Sequence, residues 1–296
     1  MNVDMNNYNE SLLQLQKSYP AFFQIYIENI LTIGKVKDNF YQPQLQGFLR
    51  FEGTKDLASK CMKEFEDISD IENDLTNAFK YYKYYFSDAT VPQVYSFFSE
   101  YIYANITTDS ILGIGLDMYL GPEHELYSAL QIPRYRFRKF RKDYIVPNAV
   151  KAFAFSKYPE ENSTDKSFLS KMIYNGKILY FMDCLLPEVS DSIKIGYTPE
   201  QAQWCKLSEH SIWAYFIDEN ILYETDYLKY EKFLKEAPNT AGLPPESAPM
   251  LGSWIGWKIV RAYMEKNPDL SLPELMNEPD KSGRIILEKS KYKPKN

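Results

Sequence analysis

Histidine is scarce in this chain of 296 residues: there are two, His124 and His210, and three cysteines, Cys61, Cys184 and Cys205. His210 adjoins Glu209, which turns the two side chains about 100° apart on a helix. The cysteines have no paired spacing, so neither a thiolate metal cluster nor a disulfide framework is expected. No G-x-S-x-G elbow and no phosphate-binding loop is present. Catalysis and a bound cofactor or metal are therefore not expected.

Also missing is any apolar run near the roughly 18 to 20 residues of a membrane span. The first ten residues, M-N-V-D-M-N-N-Y-N-E, lack the basic and apolar regions of a secretory signal. There is no excess of basic charge either: the net charge of −6 argues against the footprint of a nucleic-acid binder. What the chain has in abundance is aromatic residues, 25 Tyr and 18 Phe, enough to build an aromatic core.

The organising stretch is 172–187, M-I-Y-N-G-K-I-L-Y-F-M-D-C-L-L-P, apolar on nearly every side and so predicted to be a central buried helix. Gly176 and Lys177 do not suit that setting: the glycine weakens a helix interior, and a buried ammonium needs a partner. The next helix is predicted from Thr198-Pro199-Glu200-Gln201, a capping box with proline at the first helical position. Its apolar face carries Cys205, Ile212, Trp213 and Phe216, and helical spacing sets Glu209 among them. Two readings follow. In one, Lys177 and Glu209 form a buried ion pair; in the other, Lys177 snorkels to solvent and Glu209 sits at the stripe's edge. Arg261 is a second candidate partner for Glu209.

Around this centre, 12–51 reads as helical with breaks at Pro20 and Gly34, followed by helices over 57–65 and 71–86. Val94, Tyr95, Phe97 and Phe98 favour a strand, and 111–116, apolar with two glycines, fits a strand near the edge of a small sheet. Asp117 follows it, placed to bind a ligand, to accept from a neighbouring backbone amide, or to cap the next turn. Over 134–142, Arg134, Arg138 and Arg141 line one side of a predicted surface helix, while Phe137, Phe140 and Tyr144 line another. A solvated face is the plain reading; an acidic protein or anionic lipid is the other. The polar loop 158–165 leads into the central helix, and four prolines mark 236–249 as a loop. A helix is expected from about Trp254 to Lys266, with Gly252 and Gly256 permitting close approach. Ser271-Leu272-Pro273-Glu274 opens a terminal pair, after which the basic tail is expected to fray.

Five motifs in one order carry a resemblance over nearly the whole chain: G-L-D-M-Y-L-G (115–121), I-P-R-Y (132–135), G-K-I-L-Y-F-M-D (176–183), W-C-K-L-S-E-H-S-I-W-A-Y-F (204–216) and W-I-G-W-K-I-V-R-A-Y-M (254–264). Together they resemble the gliding-motility lipoprotein GldB family of Bacteroidota. That family is in turn similar to zincin-type metallopeptidases, in which H-E-x-x-H on one helix and a Glu on a later helix hold zinc. On this resemblance Gly176 stands for the first His, Lys177 for the Glu and Tyr180 for the second His, and only Glu209 remains. The implied site is degenerate, with Tyr180 a further donor to the pair.

The resemblance implies an α+β, mostly helical fold: a single domain over 1–296, with a helical part over 1–90 and a zincin-like core with a small sheet over 91–296. It implies a non-catalytic cell-envelope protein, periplasmic or anchored to the outer membrane, associated with gliding motility or its linked secretion machinery. Its partners would be other envelope or motility proteins or a peptide, met at a groove near Asp117, Arg261, Ile114 and Leu116. Membrane attachment would be through an N-terminal lipid anchor that is absent here, so a fragment starting after the anchor is expected. The alternatives are a residual zinc metallopeptidase, a peptide-binding receptor on the same scaffold, and a carbohydrate binder using exposed aromatics.

Overall fold

The structure is a computed structural model and describes residues 7–38, 40–160 and 165–294. It is mostly helical with a small three-stranded sheet among the described residues, an α+β arrangement. Two compact units are present, one of residues 1–68 and 92–121, the other of 69–91 and 122–296. Thus the sheet belongs to the first unit, and the helix over 69–85 to the second.

The first unit contains α1 (Tyr8–Ser18), α2 (Pro20–Ile25), α3 (Tyr41–Arg50), α4 (Glu52–Glu64), β1 (Gln93–Phe97), β2 (Asn105–Thr107) and β3 (Ile111–Gly115). Pro20 ends α1 and occupies the first turn of α2, where its missing N–H costs nothing. Phe22, Phe23, Tyr26, Ile27, Tyr41 and Leu45 form the core with Phe97 and Ile111. Phe22 also stacks on Tyr95 with ring centroids 4.5 Å apart.

The sheet order is β1-β3-β2, with β1 parallel and β2 antiparallel to β3. This corrects the expectation that 111–116 is an edge strand. β3 is the central strand and all five of its residues are buried. Its glycines are there for close layering: a Cβ at Gly115 would stand 2.0 Å from the Tyr103 carbonyl oxygen.

The second unit contains α5 (Ser69–Tyr85), α6 (Glu125–Ala129), α7 (Ile145–Lys157), α8 (Phe168–Leu185), α9 (Asp191–Ile195), α10 (Pro199–Asp218), α11 (Tyr227–Tyr230), α12 (Leu251–Lys266), α13 (Leu272–Met276) and α14 (Arg284–Ser290). The predicted central helix is α8, buried almost all round and capped by Ser167, whose side chain accepts from the Ser170 N–H. Both predicted capping boxes form, Thr198 with Gln201 and Ser271 with Glu274. α12 is the most extensive neighbour of α8, and α7 and α5 also pack on it.

The α8–α12 crossing is backbone to backbone. A Cβ on Gly176 would lie 2.4 Å from the carbonyl carbon and oxygen of Gly256, and one on Gly256 would lie 1.9 Å from the Met172 carbonyl oxygen. Gly176 therefore repays its cost in helix propensity by close packing.

Two further expectations are corrected. The basic segment is not one amphipathic surface helix but two 3-10 turns, Arg134–Lys139 and Lys142–Tyr144. Arg138 donates to the carbonyls of Tyr135 and Gly196, at 2.7 and 2.8 Å, and Lys139 is ion-paired to Glu236, so both are structural. Of the polar loop before α8, residues 161–164 lie outside the described residues. The C-terminal tail does not fray before Pro294: the Tyr292 ring packs edge-on against Trp213, centroids 5.4 Å apart.

Candidate functional site

The four residues of the degenerate constellation stand on α8 and α10 but do not converge. Gly176 faces α12. Lys177 is one residue, about 100°, further round the helix, where it is 7 % exposed and lies near Glu278, Asp280 and Lys281. Burial, reinforced by the Lys281 charge and opposed by Glu278 and Asp280, lowers its pKa to about 8. Tyr180 is half-buried, and burial pushes its phenol up to about 12, with Cys184, Asp183 and Tyr85 adding to the rise.

Glu209 is held elsewhere. The Tyr292 hydroxyl donates to its Oε1 at 2.9 Å, and Lys258 Nζ stands 3.9 Å from its Oε2. Of the two readings, the Lys177–Glu209 pair is thus not the one formed, and Tyr180 is not its donor. The reason lies in the packing: α10 leans on α12, whose Lys258 meets Glu209, while Lys177 turns towards the segment between α13 and α14. Lys258 rests 4.5 Å above the Trp254 ring, and burial lowers its pKa against the raising influence of Glu209.

Arg261, the second candidate partner for Glu209, is engaged in a denser cluster. Its Nε and Nη2 donate to Asp183 Oδ2 and Oδ1, each at 2.7 Å. Its Nη1 and Nη2 donate to Asp191 Oδ2 and Oδ1 at 2.8 and 2.7 Å. Both carboxylates are gripped bidentately, the recognition for which a planar guanidinium is suited. Lys194 Nζ and Trp257 Nε1 also reach Asp183, at 2.9 and 2.8 Å, and the guanidinium lies 3.8 Å over the Trp257 ring. This cluster ties α8, α9 and α12 together. Its sequence signal is Asp183, the one carboxylate on a mostly apolar α8.

The remaining expected contact residues lie in the first unit. Ile114 is buried within β3, and Leu116 is half-buried in the 3-10 turn that follows. Asp117 is fully buried, and its Oδ2 accepts from the Ser99 and Tyr101 N–H groups at 3.0 and 2.6 Å. Of the roles expected for it, binding of a neighbouring backbone is the one formed. Burial raises its pKa to about 6, opposed by those two hydrogen bonds. A groove at these positions is corrected: Ile114 and Asp117 are within the fold, and Arg261 is committed to its two aspartates.

Open surfaces are found elsewhere in the second unit. A groove of about 980 Å³ runs between α5, the start of α7 and the loop after α8, with Asp74, Asn77, Tyr81, Tyr84, Lys142 and Glu188 in its lining. Tyr81 and Tyr84 are 43 % and 79 % exposed, which corrects the expectation from their helical spacing that these rings are core rather than an exposed platform. A cleft of about 630 Å³ beside Glu209 is lined by Lys206, Lys258, Lys266, Lys291 and Lys293. Among the described residues no cluster of three or more His, Cys, Asp or Glu has metal-binding geometry.

These features define a mostly helical α+β protein whose central polar groups bind one another, with an aromatic-edged groove outside. The family model described as gliding motility protein GldB matches residues 1–294, and the chain belongs to that family. The family's lipoprotein designation points to the cell envelope. No described helix is long and apolar enough to cross a membrane. No curated protein and no solved structure gives a significant match.

Proposed function

We propose that this chain is a non-catalytic component of the cell envelope that serves gliding motility, or the secretion machinery linked to it, by binding other proteins. In this reading the scaffold is a zincin-like one that has lost its zinc, and a lipid anchor N-terminal to the fold holds it at the membrane. The Gly176–Gly256 crossing carries the reading. Gly176, which the resemblance would set at the first ligand of a zincin-type site, is pressed against the backbone of α12, which leaves no room for a ligand there.

The groove beside α5 is the surface we assign to the partner. Exposed tyrosines at i and i+3 over an apolar floor that includes Ile71, Val146 and Leu186, with charges of both signs at the rim, match the aromatic anchors that dominate protein interfaces.

A photo-crosslinking amino acid at position 84, in cells carrying this chain as their only copy, tests the assignment. A discrete adduct with an envelope protein, and loss of gliding in Tyr81→Ala/Tyr84→Ala at unchanged protein level, is the expected result. Normal gliding without an adduct overturns the groove assignment. Stoichiometric zinc in the purified protein, lost on Glu209→Ala, would replace the whole reading with a residual metallopeptidase.

A further inference from the structure

The cleft beside Glu209 encloses about 630 Å³ and is walled by α10 with Lys206, by α12 with Lys258 and Lys266, and by the segment after α14 with Lys291 and Lys293. Tyr292 fixes that segment, its hydroxyl on Glu209 and its ring against Trp213, so the concave shape is set by packing. Glu209 and Glu265 are the carboxylates of the lining. Arg261 also reaches it, but its charge is met by Asp183 and Asp191. Five lysines less two glutamates leave the cleft at +3, in a chain whose net charge is −6.

Among the described residues no ion pair holds Lys206, Lys266, Lys291 or Lys293, and Lys258 has Glu209 at 3.9 Å, the far end of an ion-pair distance. The charges of Arg261 and Lys206 add to the burial that lowers the pKa of Lys258, opposed by Glu209 and Asp191. A cleft whose walls carry one sign of charge concentrates ions of the other. Apart from Tyr292 the lining has no large apolar side chain, so charge is the source of affinity there.

We propose that this cleft binds a polyanion with two or more phosphate groups, either free or as a lipid headgroup, and that Glu209 competes with it for Lys258. Lys258 and Lys266 stand eight residues apart on α12, about 12 Å along the axis, a span that a single phosphate group does not cover. An ammonium is a point charge with rotating donors, which suits phosphate oxygens and does not demand the fixed fork of a carboxylate pair.

Calorimetric titration of the intact chain with tripolyphosphate, inorganic phosphate, sulfate and hexaglutamate at constant ionic strength tests this, beside flotation with phosphatidylcholine vesicles that contain or lack cardiolipin, a lipid with two phosphates. Tripolyphosphate should bind more tightly than the other three. Lys266→Gln and Lys291→Gln, both at exposed positions, should each weaken it about fivefold, the worth of one unit charge within about 4 Å in water, and Glu209→Gln should strengthen it by about as much. Lys80→Gln, which makes the same change of net charge at the Tyr81–Tyr84 groove, should leave it unchanged. Flotation with cardiolipin that tripolyphosphate competes away assigns a headgroup; tripolyphosphate binding without flotation assigns a free ligand. No binding of tripolyphosphate, equal binding of sulfate, or affinity indifferent to the substitutions in the cleft would each overturn the proposal. Tighter binding of hexaglutamate would overturn it in favour of an acidic protein segment. None of these outcomes depends on whether the Tyr81–Tyr84 groove receives a partner.

Discussion

Gly176 of α8 and Gly256 of α12 touch through their main chains, with 2.4 Å separating a notional Cβ on the former from the carbonyl carbon of the latter. Backbone, unlike the end of a flexible side chain, cannot step aside. Gly256→Ala should therefore destabilise the chain by about 3 kcal/mol or more, at the upper end for overpacking and well beyond the roughly 1 kcal/mol gained in helix propensity. Gly47→Ala on α3, where a Cβ meets nothing within 4 Å, should instead stabilise by up to about 1 kcal/mol. Urea denaturation of the two variants checks both signs.

Lys177 and Glu209 have separate surroundings, so the effects of Lys177→Met and Glu209→Ala should add to within about 0.5 kcal/mol in a double-mutant cycle. A coupling of 2 kcal/mol or more, as a rough mark, would restore the direct pair. Tyr292→Phe should couple to Glu209→Ala, since a hydrogen bond to a carboxylate is worth about 1.5 to 3 kcal/mol.

Removing Arg261 takes away the guanidinium that Asp183 and Asp191 share and leaves Asp183 with only Lys194 and the Trp257 indole. Because the Arg261 side chain is 28 % exposed, the loss in Arg261→Met should be about 2 to 3 kcal/mol, less than for a wholly buried pair. Arg261→Lys should recover little, as an ammonium cannot grip two carboxylates bidentately. Thermal unfolding of both variants at matched salt reads the difference.

Asp117 gives a dependence on acid. Its carboxyl titrates near 6 in the folded chain against an ordinary 3.8, so between these values the folded state holds a proton that the unfolded state has released. The contribution to stability is fully present below pH 4, declines as the pH rises to 6 and is flat above, on the order of 2 to 3 kcal/mol in all. The difference in unfolding free energy between the wild type and Asp117→Asn, followed from pH 4 to 7, should show that decline. A difference constant with pH would refute it.

Much of the helical framework was legible in the chain. Both capping boxes, the break at Pro20 and the all-round apolarity of α8 are local signals, and the structure bears them out. The position of β3 was not: two glycines in an apolar run read as an edge, whereas the parallel pairing with β1 that makes the strand central is a non-local fact. At the site, sequence found the residues ill at ease in an apolar helix but left their pairing open, and neither partner it offered for Glu209 is the one formed. Helical spacing shows which side chains share a face, not which neighbouring helix meets that face. Sequence offered Arg261 of α12 as a partner of Glu209, yet the turn of the helix brings Lys258 there instead, and Tyr292 comes from the segment after α14. The same limit hid the aspartates of Arg261 and the exposure of Tyr81 and Tyr84.

The glycine crossing between α8 and α12 also acts as a ratchet on what mutation can reach. An imidazole introduced at position 176 would have to enter space already filled by the main chain of its neighbour. A lineage with this interface could gain a metal ligand there only after the two helices had first moved apart, and every intermediate would bear the instability of that separation.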